Sequence, residues 1–276
     1  LEKYTVSIAT LERAATVTPP APTTSWKLWL YTNYDCNLTC KYCVARSGPN
    51  VPRRALAAPL IRQLVDEAAA LDFSHLFLTG GEPFLLPDIY ETLAYSSSRL
   101  PTTVLTNATL LHDKQLDKLD AVRNERLIIQ VSLDGPNPET HDVYRGRGTW
   151  VRTIAGLQRL LGRGYRVRIG TTETPANTAH MAALRSFLDN LGIGPDDHFI
   201  RPLAKRGFSK EGIDLGIDDL VPELTVNVDG VYWHPLSTDR DMLIARSPLP
   251  LKTSLDRVYE LLADPDRASK PRCTFT

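Results

Sequence analysis

"KLWLYTNYDCNLTCKYCVARSG", residues 27–48, joins a short strand-like run to a loop carrying three of the chain's four cysteines. Residues 27–33 are rich in aliphatic and aromatic side chains and read as a β-strand. Asp35, Asn37, Thr39 and Gly48 break that pattern and suit a loop. Cys36, Cys40 and Cys43 thus follow the strand directly, in C-x3-C-x2-C spacing. Crosslinking them would close very small rings and leave an odd thiol, so a disulfide framework does not fit. A metal role in a reducing compartment does. Structural zinc wants four closed ligands, and here only Cys273 and the histidines could add a fourth. A redox dithiol in "CKYC" would need a helix start within a thioredoxin-like pattern. Each iron of a 4Fe–4S cluster wants an external ligand. Three cysteines on one loop can serve three irons and leave the last open to a non-protein ligand.

Outward from this loop, strand-like and helix-like stretches alternate. Further β-type runs lie at 75–80, 102–107, 127–134, 166–172 and 198–204. Between them, "APLIRQLVDEAAAL" (58–71) sets Leu60, Ile61, Leu64, Val65 and Leu71 on one helical side. Gly162, Gly164 and Gly192 mark helix ends. Six such repeats imply a parallel sheet with helical crossovers. The strands read as continuously apolar, as expected when both faces are covered. An open doubly wound sheet and a curved partial barrel both satisfy this pattern. In β/α barrels, functional residues gather at strand C-termini, which is where the cysteine loop stands. Residues 223–236, "ELTVNVDGVYWHPL", read as a hairpin turning at Asp229-Gly230. Residues 254–266 read as one helix, so the last part is a small α+β appendage.

Composition narrows the function. The 276 residues are 42% apolar, and 32 basic residues balance 32 acidic ones. Zero formal net charge gives no broad surface for nucleic acid or anionic membrane. No apolar run approaches the roughly 20 residues of a membrane span. "LEKYTVSIATLERAA" lacks a basic segment followed by an apolar one, so no secretory signal is visible. The expected location is the cytoplasm. The chain starts on Leu, and residues 14–25 read as a Pro- and Thr-rich linker.

"CNLTCKYC", with an aromatic before its last cysteine, resembles the radical S-adenosylmethionine (radical SAM) enzymes. "LTGGEPFL" (78–85) resembles that family's Gly-Gly-Glu-Pro segment after the second strand. "LTNATLL" (105–111) follows the third strand, and "QVSLDGPNPETHDVYRG" (130–146) resembles the fourth-strand region of the peptide-modifying branch. The resemblance spans roughly residues 26–205, in order. It implies a partial (β/α)6 TIM-like barrel. It also implies a 4Fe–4S cluster whose open iron is chelated by S-adenosylmethionine. One-electron cleavage then gives a 5′-deoxyadenosyl radical that takes hydrogen from substrate.

Residue by residue, the resemblance makes Cys36, Cys40 and Cys43 the cluster ligands and places Tyr42 beside adenine. Gly80, Gly81, Glu82 and Pro83 would line the methionine end. Thr106, Asn107, Ser132 and Asp134 would bind ribose and methionine groups. Arg145 would pair with the methionine carboxylate, with Arg147 and Arg152 as rivals. Thr171, Thr172 and the backbone near Leu203 would border the adenosine. His141 reads equally as a helix-surface residue or as a contact, and the tryptophans read as packing residues. No catalytic acid, base or quenching residue is nominated.

The expected organisation is a segment at 1–25, a radical SAM core at 26–205 and a SPASM/twitch-like extension at 206–276. That extension resembles one whose auxiliary-cluster ligands are mostly missing: His234 stands where a cysteine is usual, and Cys273 fits the first closing position. A clusterless substrate lid is expected. Truncation before further cysteines, or a lone role for Cys273, are the alternatives. The implied function is an enzyme acting on a peptide or protein side chain, reduced by a donor such as flavodoxin or ferredoxin. The rivals are a small-molecule substrate (sugar, nucleoside or amino acid), or a non-enzymatic protein binding a metal or cluster.

Overall fold

A computed structural model of the chain describes residues 26–263. The linker and Cys273 lie outside the described residues. Strands β1 (Lys27–Asn33), β2 (His75–Gly80), β3 (Thr102–Thr106), β4 (Leu127–Ser132), β5 (Val167–Glu173) and β6 (His198–Pro202) pair in parallel, each with the next. Helices α1 (Ala58–Ala70), α2 (Ile89–Arg99), α3 (Asp113–Asp120), α4 (Pro138–Arg145), α5 (Thr149–Gly162) and α6 (Met181–Asn190) form the crossovers. The expected strands all form, to within two residues at their ends.

The two faces of the sheet differ. Leu28 and Leu30, Leu76 and Leu78, and Ile129 and Val131 are fully buried and belong to the core shared with α1's Ile61, Leu64 and Val65. Their alternates look the other way, into two hollows lined by Trp29 and Tyr31, Phe77 and Thr79, and Gln130 and Ser132. The expectation of continuously apolar strands covered on both faces is therefore corrected: in these three strands one face is aliphatic and packs in the helix-side core, and the other is aromatic and polar, with period two.

That inner face curls. The Arg201 guanidinium on β6 lies 5.8 Å from the Trp29 ring on β1. The sheet order is β6-β5-β4-β3-β2-β1. In a flat sheet, five inter-strand steps would separate those strands by roughly 24 Å. The partial barrel, not the open doubly wound sheet, is the architecture.

The last part extends the same sheet. Strand β7 (Leu224–Asn227) pairs in parallel with β1, and β8 (Gly230–Tyr232) and β9 (Leu243–Ala245) follow antiparallel. Asn227 pairs with Gly230, so the turn is Val228-Asp229, one residue before the expected one. The Asn227 side chain accepts from the N–H groups of Asp229 (2.7 Å) and Gly230 (3.2 Å) and closes it. Helix α7 (Leu251–Leu262) starts three residues before the expected Ser254.

Candidate functional site

The cysteine loop is tied down at several points. Backbone N–H groups of Gly81 and Glu82 donate to the carbonyls of Asn33 (2.7 Å) and Asp35 (3.0 Å). Gly80 has φ +127°, and a Cβ there would lie 2.3 Å from the Asn33 oxygen. A Cβ on Gly81 would lie 2.0 Å from the Asp35 oxygen. The glycine pair thus lets β2's end press on the backbone that leads into the cysteines. The sequence had suggested approach to a ligand as the reason.

Across the loop, Asn107 acts as a buckle. Its amide donates to Asn37 Oδ1 (2.9 Å) and lies 3.9 Å from Cys36 Sγ, while Asn37 donates to Thr109 Oγ1 (2.7 Å). Leu38 N–H points at Cys36 Sγ and Ser47 N–H at Cys43 Sγ, each at 3.4 Å. Lys41 N–H donates to the Tyr144 carbonyl of α4 (2.8 Å), and Phe208 N–H donates to the Cys43 carbonyl (3.1 Å).

These ties form one wall of a cleft of about 1210 Å³, counting space open to solvent. Cys36, Cys40, Cys43, Tyr42, Gly80, Gly81, Thr106, Asn107, Ser132, Arg145 and Leu203 all line it. The sequence reading named every one of them. Four other nominees stand elsewhere. Glu82 is 1% exposed, and its carboxylate is engaged behind the wall. It accepts from Phe84 N–H (3.2 Å), Thr106 Oγ1–H (2.8 Å) and Asn107 N–H (2.9 Å). Burial raises its pKa from 4.5 to about 7, against the pull of those bonds. Pro83 is buried in a 3-10 turn. Thr171 donates to the Leu133 carbonyl (2.6 Å) on the helix side, and its neighbour Thr172 faces the cleft instead.

Asp134, the fourth, is 1% exposed and sits beneath the lining. It takes Arg145 Nε at 2.6 Å, Thr172 N–H at 3.0 Å and the Tyr42 hydroxyl. Helix α4 explains the placement. Asn137 caps it by accepting from Thr140 N–H (3.1 Å), and Pro138 fits its first turn. His141 and Arg145, one turn apart, both meet Asp134. His141 is fully buried, which corrects the helix-surface expectation, and its Nδ1 accepts from Asp134 N–H at 3.1 Å. Burial, with Arg145 adding to it, lowers its pKa to about 4. Burial also works against the Arg145 charge, but Asp134 holds its pKa above the ordinary value. His234 is likewise fully buried, and its Nδ1 accepts from Leu236 N–H at 3.0 Å.

Sequence reasoning missed part of the lining. Trp29, Tyr31, Arg201, Pro235 and Leu236 line the cleft as well. A cation inside the strand "HFIRPLA" was the available signal.

The donor set can be tested against a cluster. Among the described residues, no three His, Cys, Asp or Glu side chains converge on one ion. Thiols spread along one loop around one cleft suit several irons at separate corners better than a single zinc. Burial pushes the Cys36 thiol up to about 12 and the Cys40 thiol up to about 11. Such thiols keep their protons until a metal displaces them. The residues fit the group.

A model of the Radical SAM superfamily matches residues 30–179. The chain belongs to that superfamily, whose members use a 4Fe–4S cluster and S-adenosylmethionine. Among curated relatives, an AdoMet-dependent heme synthase of Methanosarcina barkeri is 35% identical over 159 residues, 57% of this chain and 45% of that one. Mycofactocin maturase MftC of Mycolicibacterium smegmatis is 29% identical over 218 residues, 78% of this chain and 52% of that one. The chain spans about half the length of these relatives. Among solved structures, native anSMEcpe with bound AdoMet superposes with a TM-score of 0.64 at 14% identity, covering 87% of this chain and 82% of that one. Streptococcus suis SuiB bound to precursor peptide SuiA gives 0.58 at 20% identity, covering 74% and 45%. At these identities the likeness shows the fold. Among the described residues, no helix is long and apolar enough to cross a membrane.

Proposed function

We propose that the chain is a radical SAM enzyme whose single 4Fe–4S cluster is held by Cys36, Cys40 and Cys43 and whose substrate is a peptide. The observation that carries this is the one cleft into which the three cysteines, Gly80, Gly81, Asn107, Ser132 and Arg145 all open. When bound, the cluster and S-adenosylmethionine supply one-electron cleavage and hydrogen abstraction; the protein orients and shields them. Asn107 holds Cys36 and Asn37 in place, and the Asp134–Arg145 pair fixes Tyr42 between Cys40 and Cys43. Gly80, Gly81, Thr106 and Ser132 line the part of the cleft that would take the amino acid and ribose parts of the cofactor. Residues 26–205 are the core and 206–276 the extension, of which Pro235 and Leu236 line the cleft.

Relatives named as maturases favour a peptide substrate. The name of the M. barkeri relative keeps a small-molecule substrate as the second reading. The test is anaerobic assay for 5′-deoxyadenosine with dithionite. Product that disappears in a Cys36→Ala/Cys40→Ala/Cys43→Ala variant supports the proposal. A loaded cluster that gives none, with peptide or small-molecule candidates present, contradicts it.

A further inference from the structure

Arg201 lines the same cleft as the three cysteines, yet no described residue forms an ion pair with it. It stands on β6 and borders both the cysteine cleft and the second hollow. Its Nε is buried with no hydrogen-bond partner among the described residues. No carboxylate comes within ion-pair distance of it there. The nearest acid, Glu223, is already engaged by Lys27 Nζ (3.1 Å) and Trp29 Nε1 (2.5 Å). Arg201's one close neighbour of note is the face of Trp29, at 5.8 Å. Burial lowers its pKa, with Glu223 and Tyr31 opposing only in part. A half-buried cation whose Nε lacks a partner among the described residues is costly and is tolerated where a ligand completes the pair.

Resting on the radical SAM reading, we infer that Arg201 binds a carboxylate of the substrate, with Trp29 and Tyr31 as the adjoining aromatic wall. Arg145, the residue that the family resemblance assigns to the cofactor's own carboxylate, also lines the cleft and is already paired with Asp134. Arg201 and Arg145 both line the cleft, so it offers two separate guanidinium groups. A planar guanidinium suits bidentate capture of a carboxylate.

The test uses N-acetylphenylalanine and its amide as probes on the full chain, with and without a loaded cluster. Calorimetric titration reads binding. The carboxylate should bind about tenfold or more tighter than the amide. That preference should vanish in Arg201→Met and survive in part in Arg201→Lys. Arg201→Met should melt no lower than wild type, because a half-buried charge without an ion-pair partner has been removed. S-adenosylmethionine affinity of the loaded chain should not change. Equal behaviour of the two probes, including no binding of either, overturns the inference. So does a preference that persists in Arg201→Met. A tenfold loss of S-adenosylmethionine affinity in that variant would assign Arg201 to the cofactor instead. Carboxylate preference in the cluster-free chain would stand even if the radical reading failed.

Discussion

Asp134 separates two accounts of the cleft. As a ligand-binding residue, its loss would weaken S-adenosylmethionine binding and spare the fold. The geometry says otherwise. Its carboxylate carries the Arg145 guanidinium at 2.6 Å, with side-chain exposures of 2% for Asp134 and 9% for Arg145. It also accepts from Thr172 N–H and Tyr42. An amide in place of that carboxylate would turn its N–H groups toward donors on one side or the other. Removing one partner of a buried pair costs roughly 3–5 kcal/mol. For a chain of this size, each kcal/mol lowers Tm by roughly 2–4 °C, so Asp134→Asn should melt roughly 6–20 °C lower. Arg145→Met should cost a similar amount. The double variant should cost no more than either single one, because no buried charge is then left unpaired. Thermal melts of the cluster-free chain measure all three. Additive losses, or an Asp134→Asn protein with unchanged Tm and lost cofactor binding, would refute this account.

Other outcomes follow from the same packing. His141 stays neutral down to about pH 4 when folded, against an ordinary value of 6.5. Its contribution is therefore full above 6.5 and is lost as pH falls toward 4, by roughly 3 kcal/mol. His141→Asn keeps an acceptor for Asp134 N–H but cannot titrate, and urea midpoints across that window should show a shallower acid loss. Glu82→Gln turns an amide toward a backbone N–H and should cost roughly 1–3 kcal/mol; a neutral result in thermal melts would count against Glu82 as an anchor for Thr106 and Asn107. Gly207 has φ +61°, and a Cβ there would lie 2.2 Å from the Cys43 oxygen. Gly207→Ala should displace the loop and lower iron loading, read by iron content per chain; full loading would oppose that link.

The parallel β–α repeat was legible because six apolar runs alternate with amphipathic ones, a rhythm that depends on local residues alone; it left an open sheet and a barrel both possible, and the family resemblance pointed to the barrel. The cysteine loop was legible because three rare thiols cannot be ordinary packing. Faces were harder. Thr171 and Thr172 look alike in sequence, and only strand register decides that the second meets the cleft. Glu82 and Asp134 were nominated as ligand contacts by the family resemblance, yet the carboxylates of both are consumed by backbone and side-chain donors, most of them distant in sequence. His141 gave no sign of burial, since the turn of α4 that hides it depends on Asn137 and Pro138. Arg201 was visible as a cation within a strand, but its lack of a partner is a property of the closed barrel.

The most direct measurement is spectroscopic. The chain is reconstituted anaerobically with iron and sulfide, its iron is counted, and the reduced cluster's electron paramagnetic resonance is recorded before and after S-adenosylmethionine is added. The expected result is about four irons per chain, lost in the triple cysteine variant, and a spectrum that changes when the cofactor reaches the open iron. A site that takes zinc in place of iron, or a cluster whose spectrum ignores S-adenosylmethionine, would contradict the radical SAM assignment of this cleft.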